Sequence, residues 1–354
     1  MASIEFVDQS LRDGQQSLWG MRMHAGHILP VADDIDRAGY RVVDLTGSSP
    51  FEVLVRFLQM DPWKNLDAIH AAMPHTVLRA GTRSNGVVGM GITPDSIVEL
   101  WVRTLAKHGI QSLWIFDCLH DVDQMLHVAR IAKDAGMTAS PQLNYSLSPV
   151  HTDDHYVGLM QEHSGSTPLE LHFHDKTAMG ALNHQIGVEA GCTILHTAVR
   201  SLANGHSLPS TEVAVDNMRR LGHDVALDAD RLDGVSAHFA ACAAQEGYET
   251  GASVEYSLAT VEQQFPGGMM GTLRNQLEGV GQAHRLPEVL EEAVQVRAEM
   301  GYPLMATPFS QLVGIQALLN VLQGERYATI PDENLMYIAG WYGQRASCPF
   351  FTYS

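Results

Sequence analysis

Short apolar runs recur along the chain at intervals of about 25 to 40 residues, the rhythm of repeated strand-helix units. Ile4 to Val7, Arg41 to Leu45, Thr76 to Arg79 and Leu113 to Phe116 are the first four strand candidates. Thr138 to Tyr145, Leu169 to His174 and Thr193 to Thr197 supply three more. Between them, stretches such as Ser96 to His108 and Val122 to Ala135 place apolar residues at helical period. Strands that alternate with helices build a parallel sheet, because a parallel connection needs a crossover long enough to hold a helix. After about Val225 the period turns helical, over Ala237 to Gln245, Leu286 to Met300 and Pro308 to Val321. The expected fold is α/β: a TIM-type (β/α) barrel over residues 1–225 and a mostly helical C-terminal extension over 226–354. The cluster Phe265 to Gly271, rich in glycine, is expected as a turn between helices.

Composition narrows the function classes. The chain has 354 residues, 45% of them hydrophobic and 18% charged, which is the balance of a globular protein with a sizeable core. Its 22 basic and 40 acidic side chains give a formal charge of −18, which repels a phosphate backbone and argues against nucleic acid as a partner. An anionic substrate would therefore need local arginines. No run reaches the ~18 consecutive apolar residues of a membrane span, and the N-terminus lacks the pattern of a signal peptide, so the expected location is the cytoplasm. Cys118, Cys192, Cys242 and Cys348 are too scattered for a disulfide framework or a CxxC zinc site. The 18 histidines raise the chance that some are ligands.

The segment Leu171-His172-Phe173-His174-Asp175 carries the sharpest pattern. Side chains at i and i+2 of a strand share a face, so the two imidazoles can chelate one ion. A carboxylate from another strand end, on the face where barrels place their chemistry, would complete a set of two histidines and one carboxylate with open positions. By itself the pattern also describes two solvated histidines near a strand end. The string Asp8 to Ser17 follows the first strand directly and holds Arg12, Asp13 and Gln16; by itself it also reads as a polar loop that caps the next helix.

Leu11-Arg12-Asp13-x-x-Gln16-Ser17, with Met21-Arg22-Met23 beyond it, resembles the opening signature of the carboxyltransferase domains of pyruvate carboxylase, transcarboxylase and the oxaloacetate decarboxylase α subunit, within the HMG-CoA lyase-like superfamily. Similar stretches follow in the family's order: Phe51 to Trp63, Leu78 to Gly81, Ile115 to Leu119, Ser148 to Thr152, His172 to Asp175 and Phe265 to Gly268. The resemblance implies that Asp13, His172 and His174 bind a divalent metal, zinc, manganese or cobalt. It implies that Arg12, Gln16 and Arg79 hold a small oxo acid such as oxaloacetate or pyruvate and its enolate. An arginine fork suits a carboxylate, and cationic donors stabilise an enolate oxygen. For Arg12 and Arg79 the plainer reading is a structural ion pair. Tyr145, at the end of the fifth strand, is a hydrogen-bond donor to substrate or a half-buried core tyrosine. Relatives of this kind are usually homodimers.

Two departures from the family pattern bear on the chemistry. The family carries a metal-binding lysine on a strand between the Ser-Pro-Val-His-Thr motif and the His-x-His motif. Here Asp153 to Pro168 offers only a helix, Asp154 to His163, and the loop Ser164 to Thr167, with no lysine. The shortfall is one βα unit, roughly 30 residues. The second departure is His206, which aligns with the threonine that moves a proton between biotin and the enolate; histidine can also shuttle protons near neutral pH. The sequence contains no biotin-attachment module, so biotin would arrive on a separate carrier subunit. The expected function is a metal-dependent carboxyltransferase acting on a 2-oxo acid. The alternatives are a biotin-independent decarboxylase, aldolase or Claisen-type lyase or synthase, and a non-catalytic barrel scaffold.

Overall fold

In the computed structural model the described residues are 2–87, 91–163, 165, 168–258, 273 and 276–343. All seven strand candidates form strands: β1 (Glu5–Asp8), β2 (Val42–Gly47), β3 (Leu78–Arg83), β4 (Ser112–Phe116), β5 (Thr138–Gln142), β6 (Glu170–Leu171) and β7 (Ile194–Thr197). They make one parallel sheet in the order β5-β4-β3-β2-β1-β7-β6. The first strand pairs with the last, as in a barrel, while β5 and β6 are left as the two edges. Among the described residues no strand lies between them, so the barrel stays open where the sequence spacing is short by one βα unit.

The edges carry the marks of edges. β2 and β3 are buried throughout, as strands covered on both faces must be. β5 is only partly covered and contains Pro141, which donates no ladder hydrogen bond and is tolerated at a sheet edge. β6 is two residues long, so His172 and His174 sit on extended chain just past it rather than inside a longer strand. The helices Asp95–Lys107, Val122–Asp134 and Asp153–His163 fall where the period places them.

Two cores organise the chain. The first joins the strands to the surrounding helices and includes Phe6, Val43, Leu78, Leu113 and Leu195. The helix Leu232–Glu246, on the far side of the expected boundary at residue 225, belongs to this core through Leu232, Val235, Phe239 and Ala243. Its Phe239 meets Trp19 edge-on at 6.0 Å, and Trp19 stacks on Tyr248 at 5.2 Å. The second core holds the helices Leu286–Glu299, Phe309–Gln323 and Asp332–Ile338. It docks on the loop after β4 through Phe116, Cys118 and Leu119, and Arg297 Nη2 donates to Ser146 Oγ at 2.8 Å beyond β5. The Phe265 to Gly271 cluster lies outside the described residues, as do Ser164, Ser166 and Thr167. No helix among the described residues is long and apolar enough to cross a membrane.

Because Phe239 is fully buried against the barrel, Phe239→Ala is expected to cost about 3–5 kcal/mol. Denaturant unfolding should show a lower midpoint at an unchanged slope. An unchanged midpoint would show that this helix is not part of the barrel core.

Candidate metal centre

The first strand ends in an irregular turn that aims Asp13 inward. Ser10–Gly14 forms one turn of π-helix, with the Gly14 N–H donating to the Gln9 carbonyl at 2.8 Å. Such turns are uncommon and concentrate at functional sites. Ser10 Oγ pins the turn, donating to Asp8 Oδ1 at 2.6 Å and accepting from the Val199 N–H at 2.8 Å. Asp13 Oδ2 then lies 3.1 Å from His172 Nε2 and 3.3 Å from His174 Nε2. The three groups fit one ion by position: a tetrahedral ion with bonds of about 2.0–2.1 Å separates its ligand atoms by about 3.3 Å.

The tautomers agree with that fit. Burial would raise the Glu170 pKa, but the hydrogen bond from His196 and the charge of Arg79 outweigh it and push it down to about 2. Ionised, Glu170 can only accept, so His196 Nε2–H donates to it at 2.8 Å. Burial in turn pushes His196 down to about 3 against the pull of Glu170, which keeps the ring neutral. His196 Nδ1 is therefore an acceptor, and the Gln9 amide donates to it at 2.9 Å. His172 Nδ1, 3.0 Å from that same nitrogen, must carry its ring's proton. Burial holds His172 below its ordinary pKa, so its Nε2 presents a lone pair to Asp13. His174 follows the same rule: Nδ1–H donates to the His206 carbonyl at 2.5 Å, leaving Nε2 directed at Asp13. Fixing the far nitrogen is how proteins orient histidine ligands.

Asp13 is ready to complete the set. Burial alone would raise its pKa, but the charge of Arg12 beside it holds it well below the usual carboxylate range. Two imidazole lone pairs and a carboxylate facing one another repel unless a cation lies between them. The His172 and His174 side chains are 29% and 28% exposed, so an ion and a ligand can reach them.

Around this centre the residues divide. Arg12 Nη1 lies 3.1 Å from Asp13 Oδ2, and its guanidinium stacks over Trp114 at 4.8 Å. Arg79, only 1% exposed, pairs with Glu170 at 2.8 Å. Arg12 Nε and Arg79 Nε and Nη2 are nonetheless buried with no hydrogen-bond partner, which leaves donors for an anion. Asp44 anchors both arginines at 3.9 Å and accepts from Gln9 Nε2 at 2.8 Å and Trp114 Nε1 at 2.9 Å. The β2 register shifts between Asp44 and Thr46, a bulge that re-aims Asp44. Gln16 is half-buried on the short helix that follows the turn. Tyr145 is 62% exposed and donates to Asp153 Oδ1 at 2.6 Å rather than joining the cluster. His206 enters through its carbonyl, with its side chain exposed.

Gln9, Asp44, Trp114, Glu170 and His196 join the centre without any motif that singles them out in the sequence. For Glu170 a signal exists, since it shares the alternation of His172 and His174. Lys176, in the loop after His174, is a further addition; burial pulls its pKa down to about 8 against the attraction of Asp13.

The chain matches a family profile, known proteins and solved structures. A profile described as a conserved carboxylase domain matches residues 260–348. The chain is 32% identical over 375 residues to a pyruvate carboxylase subunit from Methanocaldococcus jannaschii, a match that covers 96% of this chain and 66% of that protein. It thus spans just under two thirds of that relative's length. Against the methylmalonyl-CoA carboxyltransferase 5S subunit of Propionibacterium freudenreichii subsp. shermanii it is 30% identical over 374 residues, covering 96% and 74%. The carboxyl transferase domain of Rhizobium etli pyruvate carboxylase, solved with pyruvate, shares the fold at a TM-score of 0.91 and 23% identity, over 98% of this chain and 66% of that one.

Two outcomes follow from the geometry. In equilibrium dialysis the chain should bind Mn²⁺, and the His172→Ala/His174→Ala variant should lose that binding while its thermal unfolding stays cooperative; equal binding by the variant would place the ion elsewhere. At Gly81 an added Cβ would stand 1.8 Å from Trp114 Cζ2. Gly81→Ala must therefore displace the indole that holds Asp44 and Arg12, at about 1–3 kcal/mol. Quenched-fluorescence titration of Trp114 should report the shift, and an unchanged spectrum and stability would contradict it.

Proposed function

Since the chain belongs to the carboxyltransferase family that includes the archaeal pyruvate carboxylase subunit and the methylmalonyl-CoA carboxyltransferase 5S subunit, we propose that it makes or breaks a carbon-carbon bond beside the carbonyl of a small 2-oxo acid, oxaloacetate or pyruvate in type, by way of an enolate. The observation that carries this reading is the convergence of Asp13, His172 and His174 next to two arginines that keep N–H groups without a hydrogen-bond partner. Zinc, manganese or cobalt held by those three residues would supply Lewis acidity toward a carbonyl oxygen.

The chain's own residues do the rest. Arg12, fixed between Asp13 and Trp114, would place its guanidinium charge beside the substrate carboxylate or the enolate oxygen. Arg79, its charge balanced by Glu170, contributes the Nη2–H that has no partner in the protein, and Gln16, on the helix after the turn, would add an amide donor. With oxaloacetate the bond to the departing carboxyl group breaks, its electron pair enters the enolate, and the enolate carbon then takes a proton. His206 at the rim and Lys176 beside Asp13 are the groups suited to move that proton near neutral pH. In the carboxyltransferase form, biotin on a separate carrier subunit would supply or accept the carboxyl group. We place the enzyme in the cytoplasm as a homodimer.

A second reading, a biotin-independent decarboxylase, aldolase or Claisen-type enzyme, is favoured by one observation. The opening between β5 and β6 falls where the family carries its lysine strand.

Incubating the purified chain with oxaloacetate, with and without free biotin, tests both. The first reading expects pyruvate to form faster with biotin, and Arg12→Ala to lower kcat/KM by about 10²-fold. Equal rates with and without biotin favour the second reading. A metal-loaded, folded chain that turns over nothing in either condition contradicts both.

A further inference from the structure

A second group of imidazoles stands apart from the centre described above, in the loops that follow β4 and β5 and in the helix Asp153–His163. His120, His151 and His155 each offer one nitrogen, and these nitrogens lie within 4.8 Å of one another. The three ring centroids form a near-equilateral triangle with sides of 5.9, 5.7 and 5.5 Å. We propose that His120, His151 and His155 form a second metal site, which takes Zn²⁺ through three neutral imidazoles with water in the fourth position.

The hydrogen bonds around the triangle leave ligand nitrogens facing inward. His120 Nε2 lies 3.2 Å from the Asn144 carbonyl, an acceptor only, so Nε2 carries the proton and Nδ1 is the lone pair. That Nδ1 lies 3.4 Å from His155 Nε2, close to the ~3.3 Å edge of a tetrahedral zinc shell. Ser148 Oγ lies 3.0 Å from His151 Nδ1, and with the ring proton on Nδ1, donated to that hydroxyl oxygen, His151 Nε2 is the ligand atom. Burial and the neighbouring histidines push His120 and His151 down to about 4, so both rings are neutral at physiological pH.

Backbone geometry points the same way. His120 holds φ +58, a left-handed conformation that few non-glycine residues adopt, and such outliers collect where a side chain must be aimed. Three neighbouring carboxylates are engaged elsewhere. Asp153 accepts from Tyr145 at 2.6 Å, Asp117 from Ser84 and from the Leu119 N–H at 2.7 Å, and Asp121 from the Gln124 N–H at 3.0 Å. A donor set of imidazoles without carboxylate selects zinc over magnesium, calcium or manganese. Arg297, whose charge acts on His151, weakens the site but is itself tied to Ser146 Oγ at 2.8 Å and to the Pro303 carbonyl at 3.2 Å.

The position gives the ion a purpose. His155 lies in the first turn of the helix Asp153–His163, which belongs to the stretch that joins edge strand β5 to edge strand β6. An ion shared with His120 would clamp that helix to the β4 loop, beside the opening where the sheet supplies no strand to hold it.

The test uses the full chain in the His172→Ala/His174→Ala background, which removes the first site. Zinc titration by calorimetry should show one equivalent bound, with a rise in Tm as zinc is added. His155→Gln and, separately, His120→Asn should each weaken binding by about 100-fold or more and abolish that rise, since even outer-shell substitutions cost about 10–100-fold. Asparagine tolerates the left-handed conformation at position 120, so this variant should fold, as far-UV circular dichroism would verify. Zinc binding that neither substitution weakens, or a folded background chain that binds no zinc, would overturn the proposal.

Discussion

An ionised carboxylate can only accept hydrogen bonds, and at Glu170 that constraint fixes the protonation of each imidazole beyond it. His196 must turn its Nε2 proton to Glu170, so Nδ1 accepts, so His172 turns its own proton inward and its lone pair toward Asp13. The chain of consequences runs through buried groups, where an unpaired charge costs several kcal/mol. Arg79 and Glu170 neutralise one another, and Asp44 stands between Arg79 and Arg12. The network therefore has little freedom to rearrange. Its largest unsatisfied demand is a cation among Asp13, His172 and His174; others are the partnerless N–H groups of Arg12 and Arg79.

The order of strands explains how such a centre persists in an open barrel. Asp13 follows β1, Asp44 lies on β2, Arg79 on β3, Trp114 on β4, Glu170 on β6 and His196 on β7. These strands are contiguous in the sheet, from β4 through β1 to β6. The opening lies beyond that stretch, between β5 and β6, so the loss of a strand there removes no hydrogen-bonded neighbour from the strands that carry the centre except at the short edge strand β6. Two local irregularities, the π-helical turn at Ser10–Gly14 and the bulge in β2, then aim Asp13 and Asp44 inward.

Strand periodicity and helix periodicity were legible because the strands are bounded by polar turns and helices such as Asp95–Lys107 and Val122–Asp134 keep one apolar face. The missing unit was legible as a short interval between motifs. The closeness of Asp13 to His172 and His174 was not a matter of pattern; it came through resemblance, since nothing local tells that residue 13 meets residue 174. The rest of the network was hidden for the same reason. His196 and Asp44 look like ordinary members of apolar strands until the pairing of β1 with β2 and β7 brings them to Gln9. The role of His206 was illegible in another sense, because the part that touches His174 is a carbonyl, which every residue has. Tyr145 shows the limit of reading strand ends, since β5 stops at Gln142 and the tyrosine swings out to Asp153.

The centre is tested most directly by crystals of the chain grown with Mn²⁺ and measured at the manganese absorption edge. An anomalous peak is expected about 2.0–2.3 Å from Asp13 Oδ2, His172 Nε2 and His174 Nε2 together. Well-ordered side chains at these three positions with no peak between them, in crystals that hold manganese elsewhere, would contradict it.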